Sequence, residues 1–413
     1  MGMIPARSST VVAGVSIVTA GSMLANIASY FLHVPAGRLL GPEGYGEFAS
    51  LLAAQLVLAV PALAVQTVVA RNRVRGAALA DVRRLGSIQA AVVGLLAIVA
   101  TPFVAALLDT SVATTAAALC TAPFLVLLAT EQGVLQGDSL FGALGVVLAA
   151  GGLAKVVPAV TTLLLGGSAG PALLAGAVGT AVTALLVRIV VTRRATHRDG
   201  GGSATRWRDV LAASQVQLVI VALSSVDLLL ARRVLDPESA GIYALGAVAA
   251  KAAFWLPQSV GVVLYPRMAD PRQSADAVRT AVLVLLGVGS VVVLGAAVVG
   301  PVVPLVMGEQ YAPVRHLLWL FAAQGALLAI VQCGLVASVA RGDTRSALIA
   351  WAVLVVEAVL VLSVVDGVVE LIVVATACAA AATVVVFTST RSGSRVTRST
   401  EVDRAGTSRG VGP

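Results

Sequence analysis

Apolar runs of 18 or more residues follow one another along this chain to about position 387. A run of that length is about the minimum that crosses the hydrocarbon core of a bilayer as an α-helix. Of the 413 residues, 58% are hydrophobic and only 12% are charged, which is about half the charge of a soluble domain. The chain is therefore predicted to be an all-α polytopic membrane protein.

The apolar runs predict about twelve transmembrane helices. Their approximate ranges are 9–32, 48–70, 87–108, 112–130, 143–165, 171–192, 209–231, 241–265, 278–300, 313–340, 346–364 and 368–388. The first run is too long for a signal-peptide core and has no clear cleavage site, so we expect it to stay as a helix. Segment 301–312 is apolar but broken by prolines, which predicts an interfacial turn.

The arginines predict the orientation, because cytoplasmic loops of membrane proteins carry an excess of positive charge. With the N-terminus in the cytoplasm, 22 of the 28 Lys and Arg residues fall on that side. Only Arg38, Arg232, Arg233 and Arg315 fall outside. We therefore expect a multi-pass protein of the cytoplasmic (inner or plasma) membrane with both termini inside. The same placement explains the net charge of +8 without a nucleic-acid partner.

A twelve-residue stretch occurs twice in diverged form, at 38–49 and at 233–244. The first copy carries Arg38, Gly41, Pro42, Glu43 and Gly46, and the second carries Arg233, Pro237, Glu238 and Gly241. Both copies are predicted outer loops, after the first and the seventh helix, so six helices separate equivalent points. A shorter echo follows the fourth and tenth helices, at 134–139 and 339–344.

These repeats predict two six-helix lobes related by an axis along the membrane normal. The predicted lobes are 1–195 and 209–388, joined by a cytoplasmic linker at 196–208 that contains the sequence Gly-Gly-Gly-Ser. Residues 389–413 are Ser, Thr, Gly and Arg with little apolar content, which predicts a disordered cytoplasmic tail.

Polar side chains follow one face of the first predicted helix and of the seventh. The first stripe is Ser16, Thr19, Ser22, Asn26, Ser29 and His33, and the second is Ser214, Gln217, Ser224 and Asp227. One interpretation is a shared polar cleft between the lobes, since lipid does not tolerate such a face. The other is that small polar residues hold helices together. His33 is more typical of a solvated or hydrogen-bonded residue than of a proton relay.

Four ionisable residues within the predicted spans are candidates for a function, because each charge costs about 2.5–3.5 kcal/mol at the bilayer centre. They are Lys155, Asp227, Lys251 and Glu357. In a water-filled lumen the lysines would meet an anionic substrate and the acids would carry a coupling ion. Alternatively Asp227 pairs with Lys251, and Glu357 with Lys155. The candidate cavity residues are Lys155, Lys251, Asn26, Ser22, Gln217 and Ser224, and the candidate coupling residues are Asp227 and Glu357.

No enzyme is predicted. The sequence has no phosphate-binding Gly-Lys-Ser/Thr loop, no serine nucleophile motif and no His/Cys spacing typical of a metal site. Cys120, Cys333 and Cys378 all fall inside predicted helices, where small apolar packing is the ordinary role. We expect no cofactor and no metal.

Residues 38–46, Arg-Leu-Leu-Gly-Pro-Glu-Gly-Tyr-Gly, resemble the signature of polysaccharide-export flippases. These belong to the multidrug/oligosaccharidyl-lipid/polysaccharide exporter superfamily. Segments 133–137 and 226–232 are similar to the same proteins, as are 241–244 and 265–267. The resemblance implies two six-helix bundles arranged as a V around a cavity that the first and seventh helices line. Its twelve helices favour the O-antigen or capsule-type branch.

The resemblance also implies a function: a glycan carried on a polyprenyl pyrophosphate would move to the outer leaflet by alternating access, coupled to a proton or sodium gradient. Membrane lipid, a glycan polymerase and glycosyltransferases are the partners implied. Alternatives are a cation-coupled multidrug or small-molecule exporter, a major-facilitator-type transporter and a non-transporting envelope-assembly scaffold. The absence of a mid-span acid from the first six predicted helices argues against the drug exporter.

Overall fold

The computed structural model describes residues 6–194, 207–255, 274–340 and 345–386. The helices are α1 Ala6–Phe31, α2 His33–Leu58, α3 Val60–Val74, α4 Leu79–Leu108, α5 Val112–Leu119, α6 Thr121–Gly137, α7 Phe141–Leu164, α8 Ala169–Arg194, α9 Trp207–Leu223, α10 Val226–Val234, α11 Pro237–Trp255, α12 Ser274–Val299, α13 Val303–Met307, α14 Leu318–Ala340, α15 Arg345–Val364 and α16 Val368–Val386. Short 3₁₀ helices occupy Gly300–Val302 and Glu309–His316.

Helices that could cross a membrane dominate the described residues, which contain no β-strand. Eight segments of this part of the chain are long and apolar enough to span a bilayer, and Leu348–Val364 is a shorter apolar helix. One of the eight, Ser16–Val74, has 59 residues. At about 1.5 Å per residue it is more than twice the thickness of a hydrocarbon core, so it supplies two crossings. The prediction of an all-α polytopic membrane protein is confirmed.

The chain divides into two compact units, 1–248 with 302–314, and 249–301 with 315–413. Helices α9 and α10 and most of α11 therefore group with the first unit. The two six-helix lobes, 1–195 and 209–388, stay a prediction. Most of the predicted linker and all of the tail lie outside the described residues.

The core of the first unit is built from small and branched apolar side chains on α3, α4, α6, α7 and α8. Val65, Val82, Val126, Val134 and Val191 are among its buried members. The same helices leave large apolar side chains on their outer faces. Such faces suit lipid, because no backbone polar group is left unpaired on them.

In the second unit, α12 packs against α14. Gly325 of α14 lies against the carbonyl of Ala250 in α11, so these two helices also cross closely. The opposite face of α12 exposes Val291, Leu294 and Val298, which again suits lipid.

The structure corrects the predicted outer loop of the first copy. Residues 38–49 are helical, with a single break at Gly41, whose φ of 69° lies in the left-handed region that favours glycine. Pro42 follows at the start of the next turn, where its fixed φ suits a helix beginning. In the second copy only Leu235 and Asp236 interrupt the helices, and α11 begins at Pro237.

Candidate functional site

The polar stripe of α1 is open. Asn26 and Ser29 are exposed and Ser22 is half-buried. The hydroxyls of Ser22 and Ser29 donate to carbonyls of their own helix, at 3.0 and 2.9 Å. The face of α1 that packs against α7 is a different one, where a side chain on Gly21 would collide with the backbone of Gly145. The stripe therefore does not join α1 to α7.

An exposed apolar face lies beside this stripe on α1. Met23, Ile27 and Phe31 are 58%, 60% and 63% exposed. A helix that leaves both a polar and an apolar strip uncovered suits the edge of a membrane cavity, with lipid on one side and water or a polar ligand on the other.

The stripe of the seventh predicted helix is more enclosed. Ser214 and Ser224 are buried, and Gln217 is half-buried. The Ser224 hydroxyl donates to the Val221 carbonyl of its own helix at 2.9 Å. Since α9 packs against α3 within the first unit, equal spacing in the two sequences has not produced equal surroundings.

The seventh predicted helix is interrupted where sequence alone predicts continuity. The helix α9 ends at Leu223 and α10 begins at Val226, and the Ser225 hydroxyl between them is buried without a hydrogen-bond partner among the described residues. Asp227 lies in the first turn of α10, where a negative charge is favoured. Its Oδ2 accepts a hydrogen bond of 2.7 Å from the Tyr243 hydroxyl, and its Oδ1 accepts one of 2.8 Å from the Leu228 amide. Such broken helices commonly form ion and substrate sites in transporters.

The two candidate lysines fall in different units. Lys155 is half-buried on α7, and its backbone carbonyl and Cγ lie against Gly176 of α8. Lys251 is half-buried on α11. Glu357 is buried on α15, close enough to Cys378 for an electrostatic interaction. Both predicted ion pairs join residues of different units and stay predictions.

His33 belongs to a hydrogen-bonded aromatic cluster at the end of the α1 stripe. Its Nδ1 lies 2.9 Å from the Tyr45 hydroxyl, and the two rings meet edge to face. Tyr45 packs in the same way against Tyr311, whose hydroxyl donates to the Gly37 carbonyl at 3.1 Å. These contacts agree with the prediction of a hydrogen-bonded histidine.

The two copies of the repeated stretch pack against each other. Gly46 and Gly241 occupy equivalent positions in the two copies, and a Cβ on Gly46 would lie 3.0 Å from the Gly241 Cα. A Cβ on Gly241 would collide with the Pro42 carbonyl. Neither glycine can gain a side chain without moving the backbone, so the shared glycine in the sequence marks the point where the copies cross.

A buried ion pair that sequence analysis missed lies at the other end of the first unit, which is predicted to face the cytoplasm. The Arg73 guanidinium donates to both oxygens of Asp138, at 3.1 and 2.7 Å, and to the Ala77 carbonyl at 2.8 Å. Both side chains of the pair are fully buried. It ties the end of α3 to the end of α6. The signal in the sequence was the echoed Gly-Asp at 137–138, because Gly137 ends α6 and Asp138 directly follows it.

A second missed ion pair corrects the predicted end of the fourth helix. Glu131 lies inside α6 and is 1% exposed, whereas the fourth helix was predicted to end at 130. Arg83 donates to both Glu131 oxygens, at 2.9 and 2.8 Å, and to the Arg188 carbonyl and the Thr192 hydroxyl. Glu131 lies in the last two turns of α6 rather than at mid-span, and Arg83 compensates its charge.

A groove of about 640 Å³ runs between α7 and α8. Its lining is almost wholly apolar and includes Pro158, Leu174, Val178 and Val182. None of the candidate site residues lines it. Among the residues that the structure describes, no group of three or more His, Cys, Asp or Glu side chains is placed to hold a metal ion.

Comparison with solved structures gives the fold. The lipid II flippase MurJ in an inward closed conformation is similar with a TM-score of 0.62 and 10% identity, over 91% of this chain and 87% of that chain. A mutant of the Vibrio cholerae MATE transporter VcmN gives 0.60 and 16% identity, over 93% and 98%. An inward-facing multidrug resistance MATE family transporter of the MOP superfamily gives 0.59 and 16%, over 89% and 94%.

The described part of the chain has a MATE-like fold. The fold that the resemblance to this exporter superfamily implies is therefore confirmed. The proteins of similar fold are transporters and a flippase rather than enzymes. No protein-family model matches the chain, and no curated protein matches its sequence.

Proposed function

We propose that this protein is a flippase that moves a lipid-linked oligosaccharide, carried on a polyprenyl pyrophosphate, across the cytoplasmic membrane during polysaccharide biosynthesis. The observation that carries the proposal is the uncovered face of α1, where a polar strip with Asn26 runs beside an apolar strip with Ile27. A ligand with a sugar head and a hydrocarbon tail needs both surfaces at once. The motif set at 38–46 and 133–137 and the fold shared with a lipid II flippase support the same class.

In this proposal the lobes 1–195 and 209–388 alternate in access to the two sides of the membrane, with both termini in the cytoplasm. Lys155 and Lys251 attract the pyrophosphate, because an ammonium in a low-dielectric site interacts strongly with an anion. Ser22, Asn26, Gln217 and Ser224 line the path of the sugars.

Asp227 is the stronger of the two candidates for ion coupling, and Glu357 is the other. Asp227 is a buried carboxylate at a helix break, and the Ser225 hydroxyl beside it has no hydrogen-bond partner among the described residues. Gain of a proton or of a sodium ion there would change the hydrogen bond from Tyr243, which links α10 to α11. In this proposal the bond couples the protonation or sodium occupancy of Asp227 to the position of α11.

The deciding experiment uses a deletion strain, in which polyprenyl-linked sugars are extracted and surface polysaccharide is measured alongside. Accumulated lipid-linked oligosaccharide with loss of surface glycan supports the flipping step. Unchanged lipid-linked pools contradict it. A glycan polymerase and glycosyltransferases acting on the same intermediate are the partners expected in that pathway.

Replacing both lysines with Ala should lower export by at least about tenfold, because truncating one member of a buried charge contact costs about 2–5 kcal/mol. The Lys155→Arg and Lys251→Arg variants are the matched control, since they keep the charge. Complementation of the deletion strain is the readout, with the amount of protein in the membrane measured in parallel. Full export by the double Ala variant would remove the lysines from the site.

A second candidate is export of drugs or other small molecules, which the similarity to MATE transporters favours. A drug-susceptibility panel on the same deletion strain discriminates the two. Increased susceptibility with unchanged lipid-linked pools would favour this second candidate.

A further inference from the structure

The crossing of the two copies lies at one end of the first unit, the end predicted to face outward. Two arginines flank this crossing, and each reaches from one predicted lobe to backbone carbonyls of the other. Arg232 of α10 donates to the Leu108 carbonyl at 3.0 Å and to the Asp109 carbonyl at 3.2 Å. These carbonyls end α4, where helices leave acceptors unpaired and favour a positive charge.

Arg38 makes the reciprocal contact. It lies in α2, three residues before the break at Gly41, and donates to the Leu305 carbonyl of α13 at 3.1 Å. The ninth predicted span is the third span of the second predicted lobe, and α13 comes shortly after it. The carbonyls that Arg232 binds lie at the end of the third predicted span, in the first lobe. Each predicted lobe therefore supplies one arginine to the backbone at, or a few residues after, the end of the third predicted span of the other.

We propose that Arg38 and Arg232 are paired latches that hold a gate closed at this end of the transport path, with the Gly46–Gly241 crossing as its contact point. The proposal rests on alternating access in the proposed function. It adds which residues keep one end shut: opening must part the crossing glycines and withdraw both guanidiniums from the carbonyls.

The chemistry of these contacts suits a gate that opens repeatedly. Their acceptors are neutral carbonyls near a helix end, and water can replace the arginine there at little cost. The Arg38 contact is exposed, and the Nη1 of Arg232 has no hydrogen-bond partner among the described residues. By comparison, an arginine on a buried carboxylate would leave an uncompensated charge on opening.

The experiment measures access to a cysteine placed inside the closed contact. Ala240 is 1% exposed in α11 and lies next to Gly241, so Ala240→Cys is the reporter. The three native cysteines are replaced with Ala, and the full chain is held in nanodiscs of phosphatidylethanolamine and phosphatidylglycerol. Reaction with a fluorescent maleimide gives the rate. We expect Arg38→Ala and Arg232→Ala each to raise that rate about tenfold, equal to about 1.4 kcal/mol in the closing equilibrium.

Two controls separate a gate from general loosening. Arg233→Ala removes the exposed neighbouring arginine and should leave the labelling rate unchanged. A second reporter, Ala184→Cys, is buried in α8 and should stay protected in both latch variants. The proposal is overturned if either latch variant leaves the Ala240→Cys rate unchanged, if Arg233→Ala raises it equally, or if both reporters become labelled together.

This readout needs no substrate, so its failure and the failure of the proposed function are distinguishable. If the lipid-linked pools are unchanged in the deletion strain but both latch variants raise the Ala240→Cys labelling rate, the latches are supported and the transported substrate is a different one. Accumulated pools with a negative labelling result would keep the flippase and remove the latches.

Discussion

Arginines hold the two ends of the first unit in different ways. At the end predicted to face the cytoplasm, Arg73 makes a bidentate, fully buried contact with Asp138, within one predicted lobe. At the opposite end, Arg232 binds carbonyls such as that of Leu108 across the predicted lobes. If the Arg73–Asp138 contact breaks, two charged groups stay buried without their bidentate hydrogen bonds. If the Arg232–Leu108 contact breaks, a carbonyl and a guanidinium are hydrated instead.

The difference indicates which contacts of this fold belong to a rigid body and which can open. Helices α3, α4, α6 and α8 are fastened by the two buried ion pairs, so we expect them to move together. The contacts across the glycine crossing carry no such penalty. Three predictions test this contrast, in order of expected effect.

The largest effect is expected from Arg73→Ala, which removes the bidentate partner of the buried Asp138 carboxylate. Loss of one partner of a buried pair costs about 3–5 kcal/mol. Thermal unfolding of the full chain in detergent, or the yield of folded protein when the loss is severe, measures it. Arg75→Ala is the matched control, because Arg75 is exposed two residues away and should change stability by less than about 0.5 kcal/mol.

Equal stability of Arg73→Ala and Arg75→Ala would show that the Arg73–Asp138 ion pair does not fasten α3 to α6. The double variant Arg73→Met with Asp138→Leu tests whether a buried charge without its partner causes the loss of stability. Replacement of both charges by apolar side chains should recover much of the loss, since no charge is then left unpaired.

An intermediate effect is expected from Gly241→Ala at the crossing. The added Cβ collides with the Pro42 carbonyl, and overpacking of this kind costs about 1–3 kcal/mol. We expect the cost to fall on the closed gate, so labelling of the Ala240→Cys reporter should rise. Gly142→Ala is the control, because its Cβ would meet no atom within 4 Å. Closure that survives Gly241→Ala would contradict a tight crossing.

The smallest effect concerns Asp236, which stands where the first copy has Gly41. Its carboxylate accepts hydrogen bonds from the Ser239 and Glu238 amides, at 3.0 and 3.1 Å. Hydrogen bonds, those from Ser239 first, lower the pKa of Asp236 below its usual range. Replacement of such a helix cap by Ala costs about 0.5–1 kcal/mol at an exposed site.

The pH dependence of this cap has a definite sign. Because the folded-state pKa is lowered, the stabilising contribution of Asp236 is present above the unfolded pKa of about 4 and is lost as pH falls through the folded pKa. The unfolding temperatures of the wild type and Asp236→Ala should therefore differ most near pH 6, and the difference should shrink progressively as the pH is lowered below about 4. A difference independent of pH would assign the loss to something other than the carboxylate.

Sequence patterns predicted the class of fold because the bilayer imposes length and polarity on each span. The runs of apolar residues placed the crossings, and the repeated stretch indicated an internal duplication. Boundaries were less well predicted: residues 38–49 are polar enough for a loop, yet Gly41 and Pro42 let the helix bend without ending. Glu131 was placed outside a span because no local pattern shows that Arg83, 48 residues earlier, covers its charge.

What the sequence by itself determined is a polytopic helical protein whose motifs resemble those of exporters, because hydropathy and spacing act locally along the chain. Only the tertiary structure decided which face of α1 stays open and where α9 breaks. It also brought Gly46 against Gly241, and it paired Arg73 with Asp138. These outcomes depend on contacts between residues far apart in the chain. Such contacts are set by how the helices pack. For this reason the two polar stripes, which have similar spacing in the sequence, acquire different surroundings.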